Sequence, residues 1–171
     1  MIHKIEFELS EWKYEYSKDI AFYANNINVA KNLRNVFPYP YTLSDAESYV
    51  KDCINNCEQR QICRAIIVNG QAVGSIGVFL KDDVYSKSAE LGYWLGEPFW
   101  GKGIMTNAVK MICDEAFRKF DIVRIFAEPF SFNIGSRKVL EKSGFKLEGI
   151  LKKSVYKNQE FYDTFVYGLV K

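Results

Sequence analysis

The sequence predicts a mixed α/β fold, with a central, mostly antiparallel sheet and helices on both of its faces. Strand-like and helix-like segments follow one another in the order β, α, α, β, β, β, α, β, α, β, β. An Asn69-Gly70 pair lies between two apolar runs, which is the strongest short-range signal for an antiparallel hairpin. The chain also ends in two alternating runs that are joined by a polar turn near residues 157–160.

One strand and one helical stretch are predicted at the N-terminus. Residues 2–9 alternate between apolar and polar side chains, as in a half-buried strand. Residues 17–33 carry apolar side chains at helical spacing, and the proline-containing "FPYPY" at residues 37–41 ends this stretch. The predicted strand therefore leads into a helical region.

A second helix is predicted over residues 42–59. Ser44 is the expected N-cap, and Glu47 follows three residues later, which is the spacing of a capping box. Apolar side chains then recur at helical spacing. The rest of the chain is predicted to form a hairpin over residues 63–80, a strand over 89–96, a helix over 102–119, a strand over 122–128, a helix over 131–145 and a final hairpin over 146–170. Ser131 or Asn133 is the expected N-cap of the last helix, and Gly144 is its expected stop.

Length, charge and composition exclude several classes of protein. With 171 residues and no linker or repeat, the chain is expected to form a single domain over residues 1–171. The net charge is +2, with no run of five like charges, so nucleic-acid binding is not predicted. No segment approaches the roughly 20 apolar residues of a membrane span, and the N-terminus lacks the apolar core of a signal peptide. A soluble cytoplasmic protein is expected.

The four cysteines show no CxxC spacing and no disulfide framework, and two of them share one helix face at i and i+4: Cys53, Cys57, Cys63 and Cys113. Reduced, packed thiols are expected, with no metal site.

The segment "EPFWGKGIMTNAV", residues 97–109, predicts an anion site at a turn between a strand and a helix. Gly101 and Gly103 allow positive φ and close approach of the backbone, and the N–H groups of the first helical turn point toward the guest. Lys102 adds a peripheral charge. A P-loop and a dinucleotide fingerprint are both excluded because their glycine spacing is absent. The alternative is a glycine-rich helix entry without a ligand.

Together, "AELGYWLGEPFWGKGIMTNAV" and "NIGSRKVLEKSGFKLEG" resemble the GNAT superfamily of N-acetyltransferases, in particular its ribosomal-protein N-terminal acetyltransferases of the RimJ/RimL type. The likeness extends to "FPYPYTLSDAESYV" and "FYDTFVYGLV". It implies that the glycine turn holds the pyrophosphate of acetyl-CoA on the backbone of Gly101, Lys102, Gly103, Ile104, Met105 and Thr106. Met105 departs from the small residue of the family pattern and raises the question of how closely one phosphate can approach.

The resemblance also implies roles for two further segments. Backbone groups of Tyr93, Trp94 and Leu95 would pair with the pantetheine arm like an added strand. Asn133 would contact the pantetheine, and the hydroxyl of Ser136 would protonate the departing thiolate. Capping of the following helix is the alternative explanation for Asn133 and Ser136.

Glu90 is the candidate general base. It shares a strand face with Trp94 by the period of two, and Gly92 between them leaves space for a cleft. Proton acceptance from the amine, through a water, is one interpretation. An ordinary strand glutamate that pairs with a neighbouring side chain is the other.

The family resemblance further places the acceptor pocket around "NVFPYPYTLSDAESY", and the candidate acceptor-side residues are Tyr39, Tyr41, Glu47 and Asp163. Aromatic packing and helix capping are the alternatives for these four. His3, the only histidine, is expected to be an exposed terminal residue.

The sequence therefore predicts an N-acetyltransferase that uses acetyl-CoA as co-substrate and acts on a protein N-terminal α-amine, as a monomer or a homodimer. An α-amine of pKa near 8 is appreciably neutral at pH 7, whereas a lysine amine is neutral about one time in 2,500. Acetylation of a small amine, such as a polyamine or an aminoglycoside, and a catalytically silent CoA-binding module are the alternatives.

Overall fold

The structure is a computed structural model that describes residues 5–56 and 58–171. Within these residues a seven-stranded sheet has the order β1-β2-β3-β4-β5-β7-β6. Every neighbouring pair is antiparallel except β4 and β5, so the predicted mixed, mostly antiparallel sheet is confirmed. The strands are β1 (Glu8–Ser10), β2 (Gln61–Val68), β3 (Gln71–Leu80), β4 (Ser88–Leu95), β5 (Arg124–Ala127), β6 (Lys146–Lys157) and β7 (Glu160–Val170).

Helices cover both faces of this sheet, as predicted. The helices are α1 (Ser17–Ala24), α2 (Ile27–Ala30), α3 (Leu43–Asn56), α4 (Ile104–Lys119) and α5 (Ile134–Lys142). On one face α4 and α5 bury Ile112 and Leu140 against sheet residues such as Ile76. On the other face α1 to α3 pack around Val50 and Ala65. No helix in the described part of the chain is both long and apolar enough to cross a bilayer.

The helical region near the N-terminus differs from the prediction, because two short helices, α1 and α2, replace one stretch over 17–33. Asn25 and Asn26 cause the break. The side chain of Asn26 accepts a hydrogen bond from the Asn28 N–H at 2.7 Å and caps α2, while Oδ1 of Asn25 accepts from the Tyr41 N–H at 3.0 Å. Asparagine side chains compete with helical hydrogen bonds in this way, and periodicity alone does not reveal it.

The N-cap of α3 is Thr42 rather than the predicted Ser44. Oγ1 of Thr42 accepts from the Asp45 N–H at 3.2 Å, and Oδ2 of Asp45 accepts from the Thr42 N–H at 2.7 Å. This reciprocal pair is a capping box shifted two residues toward the N-terminus. Ser44 and Glu47 therefore lie inside the helix.

The predicted turns are confirmed at both hairpins. Asn69 and Gly70 adopt φ values of 50° and 77° between β2 and β3, as a two-residue turn of type I′ requires. Asn158 and Gln159 do the same between β6 and β7. All cysteines in the described segments are buried thiols, and Sγ of Cys53 lies 3.5 Å from Sγ of Cys63. Cys57 and His3 lie outside the described residues.

Candidate active site

The parallel strands β4 and β5 separate and leave a gap in the sheet. Their register ends at the pair Glu90–Phe126, whereas β4 continues to Leu95. Beyond Glu90, β4 is hydrogen bonded only to β3 among the described strands. The edge of β4 that faces β5 therefore offers backbone groups to a guest over the segment that includes Tyr93 to Leu95.

The glycine turn follows directly at the end of β4. Nε1 of Trp100 donates to the carbonyl oxygen of Leu95 at 2.6 Å and ties the turn to the strand. Gly101 and Gly103 have φ values of 72° and 77°, and a Cβ at either position would meet no atom of the described residues within 4 Å. Both glycines are thus required by backbone conformation, and both border open space.

Helix α4 begins at Ile104 with Gly103 as its N-cap, so no side chain caps its first turn. The Asn107 N–H donates to the Gly103 carbonyl at 3.2 Å as the first bond of the helix. The preceding N–H groups, from Ile104 to Thr106, have no partner within the helix and lie at the positive end of its dipole. This arrangement suits an anion.

Met105 does not obstruct this turn, because its side chain packs into the core and is only 6% exposed. The backbone N–H of Met105 remains part of the first helical turn. Lys102 is exposed, and its Nζ lies 5.6 Å from the centre of the Phe99 ring.

The N-terminus of α5 is the second polar element of the site. The side chain of Asn133 accepts from the Ser136 N–H at 3.1 Å and caps the helix. Oγ of Ser136 lies 2.6 Å from the hydroxyl oxygen of Tyr93 on β4. Capping is therefore observed for Asn133, and the hydroxyl of Ser136 is joined to a tyrosine from a distant part of the chain.

A cleft of about 920 Å³ connects these elements. Its lining includes ten of the eleven predicted cofactor-binding residues, and Lys102 is the exception. The ten are Tyr93, Trp94, Leu95, Gly101, Gly103, Ile104, Met105, Thr106, Asn133 and Ser136. This volume lies in the usual range for small-molecule sites. The structure therefore brings together segments that are about forty residues apart in the sequence.

The charged side chains of this lining are all cationic. Among the described residues, those that border the cleft include no aspartate or glutamate but do include Lys31, Lys138, Lys142 and Lys157. Because its charged side chains are lysines, the cleft is electrostatically suited to an anionic guest.

The described residues contain no group of three or more His, Cys, Asp or Glu side chains that could hold a metal ion.

Lys157 is a cleft residue that the sequence did not indicate. It is only 8% exposed, and its Nζ donates to the carbonyl oxygens of Leu33 at 2.7 Å and Ala30 at 3.4 Å, and to Oδ1 of Asn35 at 3.0 Å. Burial lowers the pKa of Lys157. The tip of the β6–β7 hairpin is thereby fastened to the segment after α2.

The other unpredicted lining residues lie in α2 and the segment after it, in the β6–β7 hairpin, before α4, and in α5 and the turn before it: Val29, Lys31, Asn32, Leu33, Asn158, Tyr162, Phe99, Trp100, Phe132, Ile134, Gly135, Lys138, Val139 and Lys142. The sequence predicts the turn at residues 157–160 and the helix over residues 131–145, but it does not indicate where the turn docks.

Glu90 is not among the residues that line the cleft. Its carboxylate forms an ion pair with Arg34, and Nζ of Lys81 lies 3.9 Å from Oε2. The register places Glu90, Gly92 and Trp94 on one sheet face, as expected, because they pair with Phe79, Gly77 and Ser75. Pairing with a neighbouring side chain is therefore observed, and the role of Glu90 as a base stays a prediction.

The four predicted acceptor-side residues do not border the cleft. Tyr41 is 6% exposed and packs in the core, where burial raises its pKa well above the usual value. Tyr39 and Glu47 are exposed away from the cleft. Asp163 accepts hydrogen bonds from the Lys153 N–H at 2.8 Å and from Nζ of Lys152 at 3.0 Å, which lower its pKa and fasten a bulge of β6.

Comparison with known proteins agrees with this geometry. Residues 7–146 match the family model described as "Acetyltransferase (GNAT) domain". The probable N-acetyltransferase YjcK of Bacillus subtilis is 38% identical over 98 residues, which cover 57% of this chain and 54% of YjcK. The putative ribosomal N-acetyltransferase YdaF of the same organism is 33% identical over 106 residues, covering 62% of this chain and 57% of YdaF. The matches thus span little more than half of each relative.

Among solved structures, the microcin C7 self-immunity acetyltransferase MccE in complex with acetyl-CoA and AMP is similar over most of its length. The two structures have a TM-score of 0.85 and 28% sequence identity, and the likeness covers 97% of this chain and 93% of the MccE chain. The overall fold of this chain is therefore similar to that of a protein whose structure contains acetyl-CoA.

Proposed function

Because this chain belongs to the GNAT acetyltransferase family, we propose that it transfers the acetyl group of acetyl-CoA to a protein N-terminal α-amine. One observation carries the proposal. A single cleft joins the uncapped N-terminus of α4, the open edge of β4 and the hydroxyl of Ser136, and its charged lining is cationic throughout the described residues. These are the groups that an anionic thioester donor requires.

The residues present fit acetyl-CoA. Open space in front of Gly101 and Gly103 leaves room for a pyrophosphate beside the N–H groups of Ile104 to Thr106. Lys138 and Lys142 lie one helical turn apart on α5, and both border the cleft. The free edge of β4 is suited to pair with the amide groups of an extended arm. When bound, acetyl-CoA supplies an activated acetyl group on a sulfur leaving group.

The charge of the cleft bears on the acceptor. A polyamine or an aminoglycoside carries several positive charges, which Lys31 and Lys157 would repel in a cleft whose described lining has no carboxylate. A protein α-amine presents at most one positive charge and is partly neutral near pH 8. The relative YdaF, a putative ribosomal N-acetyltransferase, supports a protein as the acceptor.

The reaction needs two proton-handling groups. The amine nitrogen forms a bond to the acetyl carbon, the C–S bond breaks with its electron pair on sulfur, the amine loses one proton and the thiolate gains one. We assign the hydroxyl of Ser136 as the group that donates a hydrogen bond to the departing sulfur, and water supplies the proton that the thiolate gains. Glu90 receives the proton of the amine through a water, and Asn133 holds the N-terminus of α5 in place.

An acceptor panel tests the proposal. At pH 7.5 we expect unblocked peptides to give kcat/KM values at least about tenfold above those of spermidine and of an aminoglycoside, because the α-amine is the most nearly neutral acceptor and the least repelled. Release of the CoA thiol is the measurement. The matched control is the same peptide with a blocked N-terminus and one free lysine side chain.

Two outcomes of the panel would contradict the proposal. Faster turnover of spermidine or of the aminoglycoside would assign the protein to small-amine acetylation. Calorimetric binding of acetyl-CoA without turnover of any amine would make it a CoA-binding module.

Glu90→Gln tests the proposed base. The variant should lower kcat/KM at pH 6.5, and the loss should shrink as the pH rises through about 8, because the α-amine then loses its proton unaided. Arg34→Gln is the matched control, since it breaks the same ion pair but keeps the carboxylate. An equal, pH-independent effect of both substitutions would leave Glu90 as the ion-pair partner of Arg34 only.

A further inference from the structure

Tyr93 and Ser136 form a hydroxyl pair at the cleft. Tyr93 lies on β4 and Ser136 in the first turn of α5, and both line the cleft. The two hydroxyl oxygens are 2.6 Å apart, and the Tyr93 oxygen also lies 3.4 Å from the Ser136 carbonyl oxygen. Such a short O···O distance holds one hydrogen between the two oxygens.

Which residue donates that hydrogen decides what Ser136 can do. Each hydroxyl has a single hydrogen. If Ser136 donated to Tyr93, the protein acceptor left for the phenol hydrogen among the described residues would be the Ser136 carbonyl oxygen at 3.4 Å, at the outer limit of a hydrogen bond. If Tyr93 donates to Ser136, both the shorter contact and the phenol are satisfied. The hydrogen of Ser136 is then free for a guest in the cleft.

Tyr93 also remains a phenol under ordinary conditions. Burial raises the pKa of Tyr93 well above its usual value. Among the described residues, its hydroxyl has hydrogen-bond contacts only with Ser136 and forms no hydrogen bond to a charged side chain. A neutral phenol keeps its single hydrogen and can donate it to Oγ of Ser136. Tyr93 is therefore suited to orient the hydroxyl of Ser136.

We propose that Tyr93 is a positioning residue, whose phenol donates to Oγ of Ser136 and thereby directs the hydrogen of Ser136 into the cleft, toward the sulfur of the acetyl donor. This inference rests on the proposed function. A donor aligned before the reaction stabilises developing negative charge without reorganisation. If Ser136 could instead donate its hydrogen to Tyr93, that hydrogen would be aimed at the sulfur for only part of the time, and the stabilisation of the thiolate would be smaller.

The first test uses CoA alone, without acetyl transfer. If the pair stabilises the thiolate, CoA should bind about tenfold more tightly at pH 9 than at pH 7, because the bound thiol then has a lower pKa than the free thiol. In Tyr93→Phe we expect this gain to fall to about threefold or less. Isothermal calorimetry is the measurement, and desulfo-CoA, which lacks the thiol, should show no such gain in either protein.

A matched hydroxyl pair provides the control. The hydroxyl of Tyr49 lies 2.6 Å from Oγ of Ser75 between α3 and β3, outside the cleft lining. Tyr49→Phe removes the same type of hydrogen bond and should leave the pH dependence of CoA binding as in the wild type. An unchanged pH dependence in Tyr93→Phe would overturn the proposal.

The second test is a double-mutant cycle on kcat. Tyr93→Phe should lower kcat about tenfold when Ser136 is present, and less than about twofold in the Ser136→Ala background, because the phenol acts through that hydroxyl. Additive losses would show that Tyr93 acts independently and would overturn the proposal. If the wild type shows the expected pH dependence of CoA binding but acetylates no amine, the proposed function is refuted and the role of Tyr93 is not. A wild type that does not bind CoA would refute both.

Discussion

Gly103→Val is expected to raise the Kd for acetyl-CoA about 100-fold, which corresponds to about 2.7 kcal/mol. Gly103 has a φ of 77°, and a Cβ there would project into open space without touching any atom within 4 Å. A branched side chain would therefore occupy the space in front of the N–H groups of Ile104 to Thr106. It would also disfavour the backbone conformation that aims those groups at one point. Calorimetry with acetyl-CoA measures the effect.

Gly70 offers a matched control, because it also has a φ of 77° and a Cβ there would meet no atom of the described residues within 4 Å. It lies in the β2–β3 turn, outside the cleft lining. Gly70→Val should show the same loss of unfolding free energy, about 1 to 3 kcal/mol for strained backbone, with unchanged affinity for acetyl-CoA. If either valine variant does not fold, the alanine pair at the same positions makes the same comparison. Equal affinities at positions 70 and 103 would show that the glycine turn serves the fold only.

Ser136→Ala is expected to lower kcat about 100-fold while the KM for acetyl-CoA changes less than about threefold. The hydroxyl lines the cleft and is held at 2.6 Å from the hydroxyl of Tyr93. A donor to the sulfur acts mainly as the C–S bond breaks, so its loss appears in kcat rather than in binding. Steady-state kinetics of thiol release is the measurement.

Ser75→Ala is the control for this substitution, because Ser75 makes an equally short hydroxyl contact with Tyr49 in the core. It should reduce stability by about 1 kcal/mol and leave kcat unchanged. If kcat of Ser136→Ala falls less than about threefold, water or another hydroxyl delivers the hydrogen bond to sulfur.

The elements that sequence patterns predict well are those with a local cause. Asn69 and Gly70 specify their own positive φ values, and the hairpin around them forms as predicted. The helical spacing over residues 17–33 does not reveal that this region divides into α1 and α2, because periodicity registers only which side chains are apolar. It does not register that Asn25 bonds to the backbone of Tyr41 and that Asn26 caps a new helix.

The candidate site divides in the same way. The glycine turn depends on Gly101 and Gly103 and on the helix that begins after them, and all of this is local. Three of the four acceptor-side candidates, Tyr39, Tyr41 and Glu47, lie in one stretch that the family resemblance implicates, and Tyr41 is a core residue. Aromatic side chains near a predicted helix cap look the same in sequence whether they line a cleft or fill a core.

The amino-acid sequence by itself determined the alternating strands and helices, the glycine-bounded helix entry and the sheet face that carries Glu90 and Trp94. Only the tertiary structure decided that Lys157 donates to the Leu33 carbonyl, 124 positions away, and that Tyr93 pairs with Ser136, 43 positions away. The physical reason is that periodicity and backbone preference act over a few residues. Contacts across the cleft depend instead on strand order and on where β4 and β5 separate, which are properties of the whole packed sheet.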